Sequence, residues 1–528
     1  MMQPVFVRST AGCWLTLLLA VCANAASVHV ELRDRESGNR LPGLIQIRDG
    51  QGKIVALSEL LCRGFGLEGN SEIHQWWVLP EPRTIELTPG TYSIRAFSGL
   101  DTEITEAKIE VAAAPTTVSL DLRRFFDARR SGLRSANTHL HMKQISREQA
   151  DRYLVEVPLA DGLDVLFVSY LERAIADLEY TTNKYTSAEL QKLELLGVQI
   201  GNGEEHRHNF TASDEGYGHV MLLNIPELVQ PVSIGPGITL KGTDGPPLRV
   251  GIERARSLGS TIIWCHNQWG LEDIPNWISG RLHANNIFDG GTHGSYEHSF
   301  YRYLNAGIKV PFSTGTDWFM YDFSRVYVPA SKPLSASEWL DVLRQGRTWI
   351  TNGPMLEFKV AGKSIGDTHE MPKGGPVSIE ARVVGRIDFQ RLEIVQNGAV
   401  IAQSPARRKD NHFVAELNVQ QSIDESCWLA LRTPPPPIKD DPKYQTPVAK
   451  NDLGGDLFAH SSAVHIQVSG RPQFHVPAGQ QLLEEMLTSR QFILARAKFA
   501  DSAQRDEVLA SYDTAILEMQ RRLAMAAR

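Results

Sequence analysis

The sequence predicts a multidomain α/β plus β protein: a central domain of alternating strands and helices, flanked by two β-sandwich domains and followed by a C-terminal helical segment. Three observations predict it. The chain has 528 residues, too many for one hydrophobic core. Apolar and polar residues alternate between frequent turns over 26–127 and again over 356–470. Over 128–355, β-branched runs instead take turns with stretches of helical period.

Residues 1–25 read as a signal peptide. Arg8 supplies the positive region, Trp14 to Val21 the short apolar core, and Ala23-Asn24-Ala25 the small residues before cleavage at Ala26. Val21 is too bulky for a lipoprotein anchor at Cys22. The expected destination is periplasmic or secreted, and no later segment is long and apolar enough to span a bilayer. Loss of Cys13 and Cys22 leaves Cys62, Cys265 and Cys427, which make neither a disulfide framework nor a Cys-rich zinc site. Loss of Arg8 takes the formal charge from −7 to −8, which argues against nucleic acid as a partner.

In the first β region, Val28-His29-Val30-Glu31-Leu32 and Ile45-Gln46-Ile47-Arg48 alternate, and Gly90 to Phe97 forms another strand after a Pro-Gly turn. In the central region, the strand-like runs are Gly162–Val168, Gly197–Ile200, Thr261–Cys265 and Arg347–Ile350. Helical runs at Ser187–Leu196, Leu248–Leu258 and Ser335–Gln345 separate them. Such alternation implies a parallel sheet or barrel with function at the C-terminal ends of the strands. The second β region contains Val377–Val383 and Leu392–Val395, with a hairpin turn at Asn397-Gly398. Pro434 to Pro437 open a loop reaching to about Asp456. Over 471–528, Leu482, Leu483, Met486 and Leu487 form one helical stripe, and Val508, Tyr512, Ile516, Met519 and Leu523 a second.

Six potential metal ligands are dispersed through the central region: His139, His141, Glu205, His219, His266 and Asp317. His139 and His141 lie two apart, so on a strand they share a face, about 6–7 Å apart, and can converge on one ion. Glu205, with Glu204 as the competing candidate, follows Gly201-Asn202-Gly203 just past an apolar run, where a carboxylate can bridge two cations. His206 and His208 repeat the His-x-His spacing and are expected to orient ligands or face substrate. His219 starts an apolar run, His266 ends one, and Ser313-Thr314-Gly315-Thr316 delivers Asp317 at a strand end. One metal rarely needs six side chains, whereas two metals sharing a carboxylate do.

Together these residues resemble the polymerase-and-histidinol-phosphatase (PHP) superfamily, and within it the carbaryl-hydrolase branch, the CehA/McbA-type metallohydrolases. The motifs that carry the resemblance are His139-Leu140-His141, Gly203-Glu204-Glu205, Gly218-His219, His266 and Gly315-Thr316-Asp317. Arg344 to Pro354 and Ala459 to Val464 look typical of that branch. The resemblance implies a PHP-type distorted seven-stranded (β/α) barrel. Where three-metal members carry Thr-Asp-His, this chain has Ser169-Tyr170-Leu171, and where they carry Asp-x-His it has Asp317-Trp318-Phe319. The missing ligands belong to one metal, which implies a two-metal site: His139, His141 and Asp317 on one ion, His219 and His266 on the other, Glu205 between them.

The resulting expectation is a hydrolase that cleaves a carbamate, ester or amide bond of a small-molecule substrate with a metal-bridging hydroxide. Two divalent ions are expected, zinc first, with manganese or iron as alternatives. Asp317, Glu205 and His206 are the catalytic candidates. Trp264, Trp269, Trp318, Tyr170 and His208 are the candidates for contacting substrate. A phosphoesterase and a non-catalytic exported glycan- or protein-binding protein are the competing readings, and the oligomeric state is left open.

Overall fold

The computed structural model describes residues 25–173, 175–194, 197–211, 216–239, 242–266, 270–291, 294–439 and 441–526. The expected leader therefore lies outside the described residues, apart from Ala25.

Two sheets make up the N-terminal region. One places Ala26–Asp34 between Arg83–Leu87 and Thr116–Leu122. The other runs Leu61–Cys62, Trp77–Leu79, Gly43–Asp49, Gly90–Phe97, Thr105–Val111. Alternation decides which side chains face inward: Val28, Val30 and Leu32 from the first sheet meet Ile45, Ile47 and Ile94 from the second in one core.

The central region departs from expectation. Leu133–His141 pairs in parallel with Val165–Leu171, which pairs in parallel with Gln199–His208. The next two pairings, to Gly218–Leu223 and from there to Thr261–Trp264, are antiparallel. Arg325–Pro329 also runs antiparallel to both Leu133–His141 and Trp349–Thr351. The sheet continues from Trp349–Thr351 to Ala459–Ser461 and on into Cys427–Arg432 and Val464–Val468.

The chain thus forms one large, curled, mostly β sheet with accessory sheets, and the PHP-type distorted seven-stranded (β/α) barrel is not found. The physical reason is partly connection length. Only residues 209–217 join Gln199–His208 to Gly218–Leu223, too few for a helical crossover between parallel strands, so the chain reverses as a hairpin.

The later β region is not a free-standing sandwich either. A five-stranded sheet, ordered Lys363–Ser364, Met355–Val360, Gly375–Gly385, His412–Ile423, Arg407–Lys409, packs its apolar face against the continuation of the central sheet. The C-terminal helices Val476–Arg496 and Ser502–Ala526 bury Leu482, Met486 and Ile493 against Val508, Tyr512 and Met519. Leu487, expected in the buried stripe, is 42% exposed. No described helix is long and apolar enough to cross a membrane.

Candidate metal centre

The Leu133–His141 strand ends on two imidazoles that share a face, as a two-residue spacing dictates. Both are fully buried, and their Nε2 atoms lie 3.0 Å apart. Each Nδ1 is engaged elsewhere. His141 Nδ1–H donates to the Ser169 carbonyl at 2.8 Å, and His139 Nδ1 lies 2.9 Å from Asp289 Oδ2. With one proton held on Nδ1, the neutral form of each ring aims an Nε2 lone pair inward.

Those lone pairs meet further electron donors. Glu205 Oε2 lies 3.1 Å from His141 Nε2 and 3.6 Å from His139 Nε2. Asp317 Oδ1 is 3.4 Å from His139 Nε2 and 3.7 Å from His141 Nε2. The other Glu205 oxygen, Oε1, faces a second pair of imidazoles, 3.2 Å from His219 Nδ1 and 3.5 Å from His266 Nε2. The donors therefore fall into two groups, His139, His141, Glu205, Asp317 and Glu205, His219, Cys265, His266, all buried and each spanning no more than 4.8 Å. Glu205 belongs to both.

Strand alternation separates Glu205 from Glu204. Glu204 points to the opposite face, where it accepts from Val229 N at 2.7 Å and pairs with His206 Nδ1 at 3.1 Å. The preceding glycines do not form a loop, as expected from the sequence, but lie within the Gln199–His208 strand. A Cβ on Gly203 would come within 2.7 Å of Leu223 Cδ2 and 2.9 Å of Ser169 Oγ, so the glycine admits close neighbours on the face that carries Glu205.

Two donors come from backbone in the left-handed region, His266 at φ 62° and Asp317 at φ 58°. For a residue with a Cβ this costs about 1–2 kcal/mol, strain that the surrounding structure must hold in place. Gly315 does part of that work: a Cβ there would sit 2.5 Å from His139 Cβ, so only glycine lets the strand bearing Asp317 reach the histidine pair.

Burial opposes charge on His139, but the Asp317 charge and contacts with Asp289 and Glu205 push its pKa up to about 9. Burial likewise opposes charge on His266, and Asp289, Glu205 and Asp317 hold it well above the ordinary imidazole range. Burial favours the neutral acid of Glu205, yet the Arg207 guanidinium, 3.1 Å from Oε1, and the histidines keep it ionised far below the usual range. Without a cation, shared protons must hold this cluster together. Asp317 Oδ1 and His266 Nδ1 are buried without a hydrogen-bond partner among the described residues. Inward nitrogen and carboxylate lone pairs at this density fit divalent cations, which would replace those protons.

Sequence reasoning missed two residues. Asp289 is fully buried, and its oxygens contact one imidazole from each donor group, His139 at 2.9 Å and His266 Nδ1 at 3.6 Å. A weaker signal was present: Asp289 follows the short strand Ala284–Asn286 by three residues and precedes Gly290, so an acid stands just past a strand end, as Asp317 does, though without the small-residue turn that leads to Asp317. Cys265, next to His266, is the other, a fully buried thiol whose pKa burial raises.

Other candidates fall elsewhere. His206 is on the face opposite Glu205, against Gly251, and does not join the donor cluster. His208 bonds Asp244 at 3.0 Å, accepts from Tyr217 N, and stacks on the Tyr217 ring at 3.7 Å, all structural contacts away from the centre. Trp264 is fully buried in the core against Gly218 and Gly270. Tyr170 lines a cavity of about 210 Å³ with Thr182, Asn183 and Asn202. Trp318 is at the centre, its ring 5.5 Å from the His141 imidazole. Trp269 lies outside the described residues.

No protein-family model matches the chain, and no curated protein does. Among solved structures it aligns with the β-glucuronidase of Parabacteroides merdae at 9% identity and a TM-score of 0.16, covering 81% of this chain and 60% of that one. A second structure of that enzyme, with glycerol in its active site, aligns at 8% identity and a TM-score of 0.17, covering 81% and 59%. The chain thus spans about 60% of that enzyme's length, and similarity at this level carries neither fold nor activity across.

Proposed function

We propose that this protein is an exported, metal-dependent hydrolase that cleaves a carbamate, ester or amide bond of a small molecule at a centre of two divalent cations. The observation that supports it most is the division of Glu205: Oε2 faces His139 and His141, while Oε1 faces His219 and His266. Kinship with the carbaryl-hydrolase branch rests on these ligand motifs alone, without the barrel expected to accompany them.

His139, His141 and Asp317 would hold one ion, His219 and His266 the other, with Cys265 in reach of the second. Imidazole-rich donors with a thiol nearby favour zinc over manganese. Cations bound there would polarise an acyl oxygen and lower the pKa of water. The chain's own groups supply the rest. Asp289 and the Ser169 carbonyl hold the proton of each paired imidazole on Nδ1, keeping Nε2 open. Arg207 offsets the Glu205 charge. Asp317, whose Oδ1 has no hydrogen-bond partner among the described residues, is positioned to accept a proton from water.

Metal quantification of gently isolated protein, followed by assays with aryl acetates, aryl N-methylcarbamates and aryl phosphates, tests this reading. Bound transition metal and faster acyl than phosphoryl cleavage are expected. Preference for the phosphate would make the protein a phosphoesterase. Absence of metal together with failure to take it up would defeat both. His141→Ala should abolish hydrolysis, whereas a non-catalytic binding protein would keep its partner after that change.

A further inference from the structure

Two cationic side chains beside the centre are used neither by the fold's core nor by the ligand set. Lys143 Nζ lies 5.2 Å from the ring centre of Trp318, and the guanidinium carbon of Arg173 lies 5.0 Å from the same ring. Trp318 directly follows Asp317 and pairs with His141 in the strand register. Arg173 is held in place: Nε contacts Asp177 Oδ2 at 3.1 Å, and Nη2 donates to the Tyr180 hydroxyl at 2.7 Å. Tyr180 in turn meets the Trp318 ring edge-on at 5.4 Å. Lys143 makes no hydrogen bond or ion pair among the described residues.

One cation near an indole ring is ordinary. Here two lie about 5 Å from the same ring centre, like charges with no gain from each other's company, and only Arg173 has a carboxylate partner. The arrangement is favourable when an anion lies near both. The centre adds to that field: with divalent cations in place, Arg207 and the metals would outweigh Glu205, Asp289 and Asp317.

We propose that Lys143 and Arg173 hold an anionic group of the substrate, a carboxylate or a phosphate, beside Trp318, distinct from the bond that is cleaved. What is cleaved rests on the hydrolase reading above; what is bound does not.

Calorimetric titration of metal-loaded protein with glutarate and with inorganic phosphate tests binding directly. The protein is compared with Lys143→Gln and with the Lys143→Gln/Arg173→Gln double variant, each checked for full metal content. At least tenfold weaker binding of one anion to the double variant is expected, with a smaller loss in Lys143→Gln and weakening by salt in the parent. Equal affinity in all three, or no binding to the parent, overturns the proposal. In parallel, phenyl acetate is compared with the same ester bearing a ring carboxylate or a ring phosphate. An anionic preference in kcat/KM of tenfold or more, lost in the double variant, is expected, and the preferred ester names the anion. If no ester is cleaved yet the variants lose anion binding, the hydrolase reading falls and the anion site stands. If the esters are cleaved without anionic preference and anion binding is unchanged, the reverse holds.

Discussion

Asp289 Oδ2 sits 2.9 Å from His139 Nδ1, on the side of the imidazole away from the donor cluster. The carboxylate thereby fixes which nitrogen of His139 faces inward, and its other oxygen approaches His266, in the second donor group. Asp289→Asn preserves the shape but removes the charge that orients both rings. Metal affinity should fall about 10- to 100-fold, as read by titration against a chelator of known strength. Unaltered affinity would leave Asp289 without the orienting role.

Removing Glu205 should differ in kind from removing Asp317. Glu205→Gln weakens both donor groups and strips Arg207 of a buried partner, whereas Asp317→Asn touches one group. Metal content per chain, by elemental analysis, should drop to near zero in the first variant and by about half in the second. Equal losses in the two would argue against a shared carboxylate.

The metal-free protein should lose stability as the solution becomes alkaline. The folded pKa of His139, about 9, lies above the ordinary imidazole value of 6.5. Its contribution is therefore complete below pH 6.5 and is lost as pH rises through about 9. It amounts to roughly 3 kcal/mol. Thermal unfolding in chelator between pH 6.5 and 9 should show a falling midpoint. Saturating metal should flatten that fall, because the cations take the place of the protons. A midpoint independent of pH in chelator would contradict the arrangement.

Gly315→Ala places a methyl group against His139 with no flexible atom to yield. The variant should be destabilised by about 1–3 kcal/mol, and its metal affinity should drop along with its unfolding midpoint. Gly259→Ala has space but a left-handed φ of 83°, so it should lower stability alone. If Gly315→Ala keeps full metal affinity, the close approach is not needed for the centre.

The sequence carries the donor types and their order well. His139, His141, Glu205, His219, His266 and Asp317 are drawn together from separate segments of the chain, because residue chemistry and strand ends are local features that a linear reading can see. Alternation also gave the right face for Val28, Val30 and Leu32. The barrel was misread because strand direction is not local. Nothing in Val220-Met221-Leu222 says that it runs against Gln199–His208, except the short connection before it. His206 lies apart from the cluster for a related reason: its type matches the ligands, but its parity along the strand puts it with Glu204. Asp289 escapes the linear reading because it stands three residues past a short strand with no second ligand type beside it, and only the fold brings it behind His139 and His266.

The hydrogen bonding of Trp349–Thr351 to Ala459–Ser461 bears on how the molecule can be dissected. A fragment cut after residue 355 would carry the donor residues yet bare a strand edge that residues more than a hundred positions later normally cover. Such a fragment should self-associate and unfold without a sharp transition, and adding the missing piece in trans should rescue it. The smallest stable unit that carries the donor residues therefore extends through the Val464–Val468 strand, and the donor cluster and the folding of the chain cannot be parcelled out to separate stretches of it.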